Sequence, residues 1–140
     1  MENILFPDKK IVETDYFKIE QDWEVPISWF FILSAKKTIK SIADFTESEA
    51  LDFIMLLRKV RLGMREVLNI ENIGLYQNEA TEHNFHVRIF PWHERMKKFD
   101  YKKVQSIFPI MNYAKEQMAT EDIIQEVELN VQKMKEYMKK

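Results

Sequence analysis

The sequence predicts an α+β fold with a mostly antiparallel sheet, and three observations carry that expectation. Apolar, aromatic-rich segments open the chain, a capped amphipathic helix follows them, and a strictly alternating strand precedes a long C-terminal helix. Strands, helix, strands, helix is the order of an α+β domain rather than of alternating βαβ units. No internal repeat, low-complexity segment or linker divides the 140 residues, so a single domain over 1–140 is expected.

Residues 11–20 read as the first strand, with Val12, Phe17 and Ile19 set among polar residues. Val25-Pro26 suits a turn, because a proline cannot donate within a central strand. Residues 27–34 then form a second strand whose run Trp29-Phe30-Phe31-Ile32-Leu33 implies cover on both faces and a place in the core. Thr46-Glu47-Ser48-Glu49 is a capping box. Behind it Ala50, Phe53, Ile54, Leu57, Val60, Met64, Val67 and Leu68 recur at helical spacing, and Asn69 is a plausible terminator. Gly63 inside that helix costs about 1 kcal/mol relative to alanine, which close approach of another backbone would explain. Residues 73–78 form a short strand, and residues 84–92 its neighbour. Residues 101–107 suggest a short helix that stops before Pro109. Thr120 caps the last helix, whose seam Ile124, Val127, Val131, Met134, Met138 fits either its own sheet or a partner subunit.

Composition excludes several functional classes. A net charge of -2 and a pI near 6.0 argue against general nucleic-acid binding. There is no cysteine, so neither disulfides nor thiolate metal sites can form. With only Gly63 and Gly74, no glycine-rich phosphate loop is available. No apolar run has the length of a membrane span or the form of a signal peptide, so a cytoplasmic protein without membrane association is expected.

Within residues 84–92 the alternation is strict. Phe85, Val87 and Ile89 fall on one face of a strand; Asn84, His86 and Arg88 fall on the other, each roughly 6.5 to 7 Å from the next. The polar face presents an amide, an imidazole and a guanidinium in a row, which suits an anion and contains a potential nucleophile. Outside a functional site, His86 would read as a hydrogen-bonded core histidine and Arg88 as a solvated residue. His83 and His93 read as surface residues; His83 points away from the polar face on a regular strand, and only a bulge would re-aim it. A zinc site built from His83, His86 and His93 lacks supporting carboxylate or cysteine spacing. Lys36-Lys37 reads as a charged loop.

These residues carry a resemblance to the histidine triad superfamily. Its hallmark is His-x-His-x-His followed by two apolar residues and often proline, and Asn84-x-His86-x-Arg88-Ile89-Phe90-Pro91 resembles it with the middle histidine retained and both outer ones replaced. Upstream, Ala35-Lys36-Lys37-Thr38 resembles the family's Pro-Lys-x-His, with Thr38 where a histidine is common. Asn78-Glu79 resembles the family's asparagine-acid pair, and Thr81 its hydroxyl residue five positions before the nucleophile. The resemblance covers about residues 11–92, leaving 93–140 as a helical extension. It implies a five-stranded antiparallel sheet with the capped helix central, and a homodimer paired through an edge strand and that helix.

The resemblance also implies nucleotide chemistry. His86 would attack an α-phosphorus, Arg88 would bind the phosphate, and Asn84, Asn78 and Thr81 would orient the ligand, a nucleotide or dinucleoside polyphosphate. The family chemistry requires no cofactor, although Mg²⁺ can accompany a polyphosphate. A neutral imidazole is a competent nucleophile near neutral pH, and a guanidinium offers a planar donor fork to phosphate oxygens. Neither Asn84 nor Arg88 can deliver a proton near neutrality. A hydrolase or nucleotidyl transferase, of diadenosine polyphosphate hydrolase type, is therefore one expectation. A catalytically degenerate nucleotide-binding or dimeric scaffold protein is the other.

Overall fold

A computed structural model describes residues 4–140. The strands are β1 (Lys10–Glu13), β2 (Phe17–Gln21), β3 (Phe31–Ala35), β4 (Ile73–Tyr76) and β5 (His86–Pro91); the helices are α1 (Glu47–Leu68), α2 (Ile107–Gln117) and α3 (Glu121–Met138). Short 3₁₀ turns occupy Ile42–Asp44, Glu94–Phe99 and Val104–Ser106. One five-stranded sheet has the order β1-β2-β3-β5-β4, with every neighbouring pair antiparallel. This is the α+β architecture expected from the order of elements.

Several boundaries differ from the expected ones. Residues 11–20 form a hairpin rather than one strand, because Thr14 turns the chain: its hydroxyl accepts from the N–H groups of Tyr16 and Phe17. The second strand starts at Phe31, not at 27, because Trp29 has φ 75°, in the left-handed region. That kink sends Trp29 into the main core, while Phe30 joins a second cluster and meets Phe90 edge-on at 5.2 Å. The helix expected at 101–107 instead begins at Ile107 and includes Pro109 in its first turn. There the missing N–H would have no intrahelical partner anyway, so the proline is tolerated.

The capping of α1 follows the sequence closely. Thr46 Oγ1 accepts from Glu49 N at 3.1 Å, Glu49 Oε1 accepts from Thr46 N at 2.7 Å, and Asn69 closes the helix with φ 58°. Lys37 is more than a charged loop residue, since its Nζ lies 3.0 Å from the buried Glu49 carboxylate. The buried face of α1 is Phe53, Leu56, Leu57, Val60, Gly63 and Met64, whereas Ala50 and Ile54 of the expected stripe are exposed. Against it pack Phe17, Ile19, Phe31, Leu33, Phe85, Val87 and Ile89 from the sheet. The seam of α3 meets this same core through Val131, Met134 and Met138, so it serves its own sheet. The smaller cluster, with Val25, Phe30, Phe90, Ile107, Ile110 and Met111, lies where α2 covers part of the opposite sheet face.

Gly63 makes room for a side chain rather than a backbone. A Cβ there would lie 2.7 Å from Tyr137 Cδ1 of α3 and 3.0 Å from Met134 Cε. Alanine would gain about 1 kcal/mol of helix propensity but incur an overpacking cost of about 1–3 kcal/mol. Gly63→Ala is therefore expected to lower stability in urea unfolding. In a Tyr137→Ala background the same change is expected to raise it; equal effects in both backgrounds would contradict the contact.

Candidate functional site

Strand alternation splits β5 as its sequence demands. Phe85, Val87 and Ile89 are buried in the main core, and His86 and Arg88 fall on the other face, half-buried. Antiparallel register then sets their neighbours: Ser34 of β3 lies opposite His86, and Lys18 of β2 lies opposite Ser34. One step along, Glu20, Ile32, Arg88 and Tyr76 form the adjacent row. Apart from Tyr76, these rows line a cleft of about 210 Å³ together with Asn84, Trp23 and His83.

The imidazole of His86 is held in a defined state. Its Nδ1 lies 2.9 Å from the Asn84 carbonyl oxygen, which can only accept, so Nδ1 carries the proton. In the neutral ring Nε2 is then the nitrogen with the free lone pair, the requirement for a nucleophilic imidazole. Asn84 thus contributes through its backbone as well as by lining the cleft. His83 belongs to the cleft after all. It precedes β5 in a bent loop, and its ring lies 6.0 Å from that of His86 and 6.4 Å from that of Trp23, edge-on to both.

Each cation of the cleft already faces a carboxylate. Lys18 Nζ is 3.6 Å from Glu20 Oε1, and Arg88 Nη1 is 3.9 Å from Asp22 Oδ2. Asp22 is 1% exposed, and its Oδ1 accepts from the N–H groups of Glu24 and Val25, which builds the turn after β2. Its Oδ2 has no hydrogen-bond partner. Arg88 Nη1 also reaches Met111 Sδ of α2 at 3.9 Å, leaving Nε and Nη2 without a protein acceptor among the described residues. That open edge of the guanidinium is the one a bidentate anion would use.

The other expected site residues lie elsewhere. Asn78 is exposed, and its Oδ1 accepts from Ala80 N; Thr81 Oγ1 accepts from His83 N. Both shape the loop before β5 rather than line the cleft. Thr38 is exposed. His93, expected at the surface, is half-buried: its Nε2 donates to the Ser28 carbonyl at 2.7 Å, and burial pushes its imidazole below the ordinary range. Because His93 pairs with Ser28, the three histidines do not gather as a zinc site, and no group of three metal-ligating His, Cys, Asp or Glu occurs among the described residues. No helix among them is long and apolar enough to cross a membrane.

The sequence reading missed Asp22, Lys18, Glu20 and Trp23. Alternation in Phe17-Lys18-Ile19-Glu20 was a usable signal for the second and third, but their proximity to His86 depends on register across β3. Asp22 carried no signal, since buried and solvated aspartates look alike in a sequence.

No family model and no curated relative matches the chain. Solved structures do. A hypothetical histidine triad nucleotide-binding protein from Sulfolobus tokodaii superposes with a TM-score of 0.62 at 18% identity, over 94% of this chain and 85% of that one. The diadenosine triphosphate hydrolase of Plasmodium falciparum gives 0.60 at 14% identity, over 94% and 76%. A Hit-like protein of Bartonella henselae gives 0.59 at 14%, over 91% and 84%. The chain has the histidine triad fold. Identities this low establish architecture alone.

Burial lifts the Asp22 carboxyl above the ordinary aspartate value of 3.8, against the opposing pull of Arg88 and the two backbone donors. A carboxyl raised in the fold binds its proton more tightly there than in the unfolded chain, so its contribution to stability falls as pH climbs above the ordinary value. Asp22→Asn removes that loss and keeps the Oδ1 acceptor. The stability of Asp22→Asn relative to the parent is expected to grow as pH rises from 3.8, then level off above the folded value. Paired urea titrations read this; a difference independent of pH would contradict the shift.

Proposed function

We propose that the protein is a nucleotide hydrolase or nucleotidyl transferase acting at an α-phosphate through His86. The observation that carries this reading is the contact of His86 Nδ1 with the Asn84 carbonyl, which leaves Nε2 as the free nitrogen of the neutral ring in a cleft beside the open edge of Arg88. Nε2 attacks the phosphorus, a P–N bond forms, and the bond to the leaving group breaks with its electron pair. Water or another acceptor then attacks the nucleotidyl-histidine, and the P–N bond breaks. Arg88 Nε and Nη2 hold the non-bridging oxygens, whose charge grows as the nucleophile adds. Asn84 fixes the imidazole, while Asn78 and Thr81 brace the loop before β5. The histidine triad fold, shared with a diadenosine triphosphate hydrolase, agrees with it.

Diadenosine polyphosphates and adenosine phosphoramidate both present such a phosphorus and are the test substrates. Turnover of at least one is expected, with none in His86→Ala and a loss of about 10²–10³ in kcat/KM for Arg88→Ala. Arg88→Lys, which loses the bidentate fork, is expected to be impaired as well. If nucleotide raises the melting temperature without turnover, the protein is a binding relative and the catalytic reading is wrong.

We also infer a homodimer paired through β4 and α1. The β1 edge carries a register irregularity and the Lys10–Glu13 ion pair, devices that discourage strand addition. β4 forms the other edge with Leu75 more than half exposed, and α1 exposes Leu51, Ile54 and Met55 to a similar degree. Sedimentation is expected to give twice the chain mass of 17.0 kDa, falling to one chain in Ile54→Glu/Met55→Glu. A monomeric parent would overturn this inference.

A further inference from the structure

The nucleotidyl-transfer reading leaves one requirement unmet by Asn84 and Arg88: a poor leaving group must receive a proton as its bond to phosphorus breaks. Asparagine does not titrate near neutrality, and arginine stays charged. Of the remaining groups in the cleft, Lys18 is paired with Glu20. His83 is different. Its ring lines the same cleft, 6.0 Å from His86, and neither of its ring nitrogens has a hydrogen-bond partner among the described residues.

The loop that carries His83 is held from outside the cleft. Lys40 Nζ donates to three consecutive carbonyls, Thr81 at 3.4 Å, Glu82 at 2.9 Å and His83 at 2.6 Å. Thr81 Oγ1 accepts from His83 N at 3.2 Å, and the Trp23 ring flanks the imidazole. These contacts fix the backbone and leave the ring itself unbonded. That is how a proton carrier would be mounted, whereas an ordinary surface histidine needs no such support.

We propose that His83 is the catalytic acid of this site, protonating the leaving atom during attack by His86, with Lys40 as its positioning residue. In the first step the P–Nε2 bond forms and the bond to the leaving oxygen or nitrogen breaks. The electron pair goes to that atom, which takes the proton of the His83 imidazolium. In the second step neutral His83 takes a proton from the attacking water as the P–Nε2 bond breaks, which restores both histidines. The inference rests on the nucleotidyl-transfer reading and adds to it a residue outside the Asn84-x-His86-x-Arg88 strand face.

Leaving-group dependence tests it. Adenosine 5′-phosphoramidate needs its leaving nitrogen protonated, whereas the p-nitrophenyl ester of adenosine 5′-monophosphate releases a stable anion. The ratio of kcat/KM for the amidate to kcat/KM for the ester, which reports the step that expels the leaving group, is expected to fall by at least ~100-fold in His83→Ala. In Lys40→Met it is expected to fall in the same direction but less. His83 and Lys40 are both exposed, so these variants retain the fold. If His83→Ala lowers kcat/KM equally for both substrates, or for neither, His83 is not the acid while the nucleophile role of His86 stands. If the parent turns over neither substrate, the nucleotidyl-transfer reading fails and this inference falls with it.

Discussion

The pairing of β5 with β3 is the constraint on which the site depends. Leu33 lies opposite Val87 and Ser34 opposite His86, and this single register places a row of apolar side chains against α1 and a row of polar ones on the other face. A slip by one residue would reverse both rows. It would expose Phe85, Val87 and Ile89, each worth about 1.5–3 kcal/mol when buried, and would press a guanidinium into the core. Hydrogen bonds from Ala35 N to the Phe85 carbonyl and from Phe85 N to the Ile39 carbonyl extend the pairing beyond the strand end. Those bonds also anchor the loop that delivers Asn84 and His83.

Electrostatics in the cleft are set by neighbours that the polar face acquires from β2. Lys18 and Arg88 are matched by Glu20 and Asp22, so the positive charge of the cleft is partly neutralised by carboxylates already present. The match at Arg88 is partial, because the guanidinium engages Asp22 through Nη1 only. Asp22 itself sits in an expensive place for a charge, and burial raises its proton affinity accordingly. Its compensation comes from the turn it organises with Glu24 and Val25. The same carboxylate thus shapes the chain before β3 and faces Arg88 of β5.

The C-terminal region bounds the site from two directions. Through Val131, Met134 and Met138, α3 fills the main core, and its Tyr137 ring occupies the groove left by Gly63. Through Ile107, Ile110 and Met111, α2 covers the Phe90 end of the opposite face, where Phe108 also meets Tyr76 edge-on at 5.7 Å. What stays open is the end bearing His86. Residues 93–140 carry no histidine triad motif, yet they decide how much of this sheet face stays uncovered.

Local rules acting over a few residues were readable from the sequence alone. The capping box of Thr46 and Glu49, the left-handed stop at Asn69, the cap at Thr120 and the two-residue alternation of β5 all depend on neighbours along the chain, and the structure realises each. Strand and helix limits were less legible where a single backbone angle decides them, as at Trp29, or where proline can be either a stop or a first-turn residue, as at Pro109. The sequence also identified His86 and Arg88 as partners, because they share a strand face. Only the tertiary structure decided their company. Lys18, Glu20, Asp22 and Trp23 reach the cleft through antiparallel register across β3, and His83 reaches it through a loop clamped by Lys40. Register and loop path depend on contacts between segments dozens of residues apart, and periodicity within one segment carries no information about them.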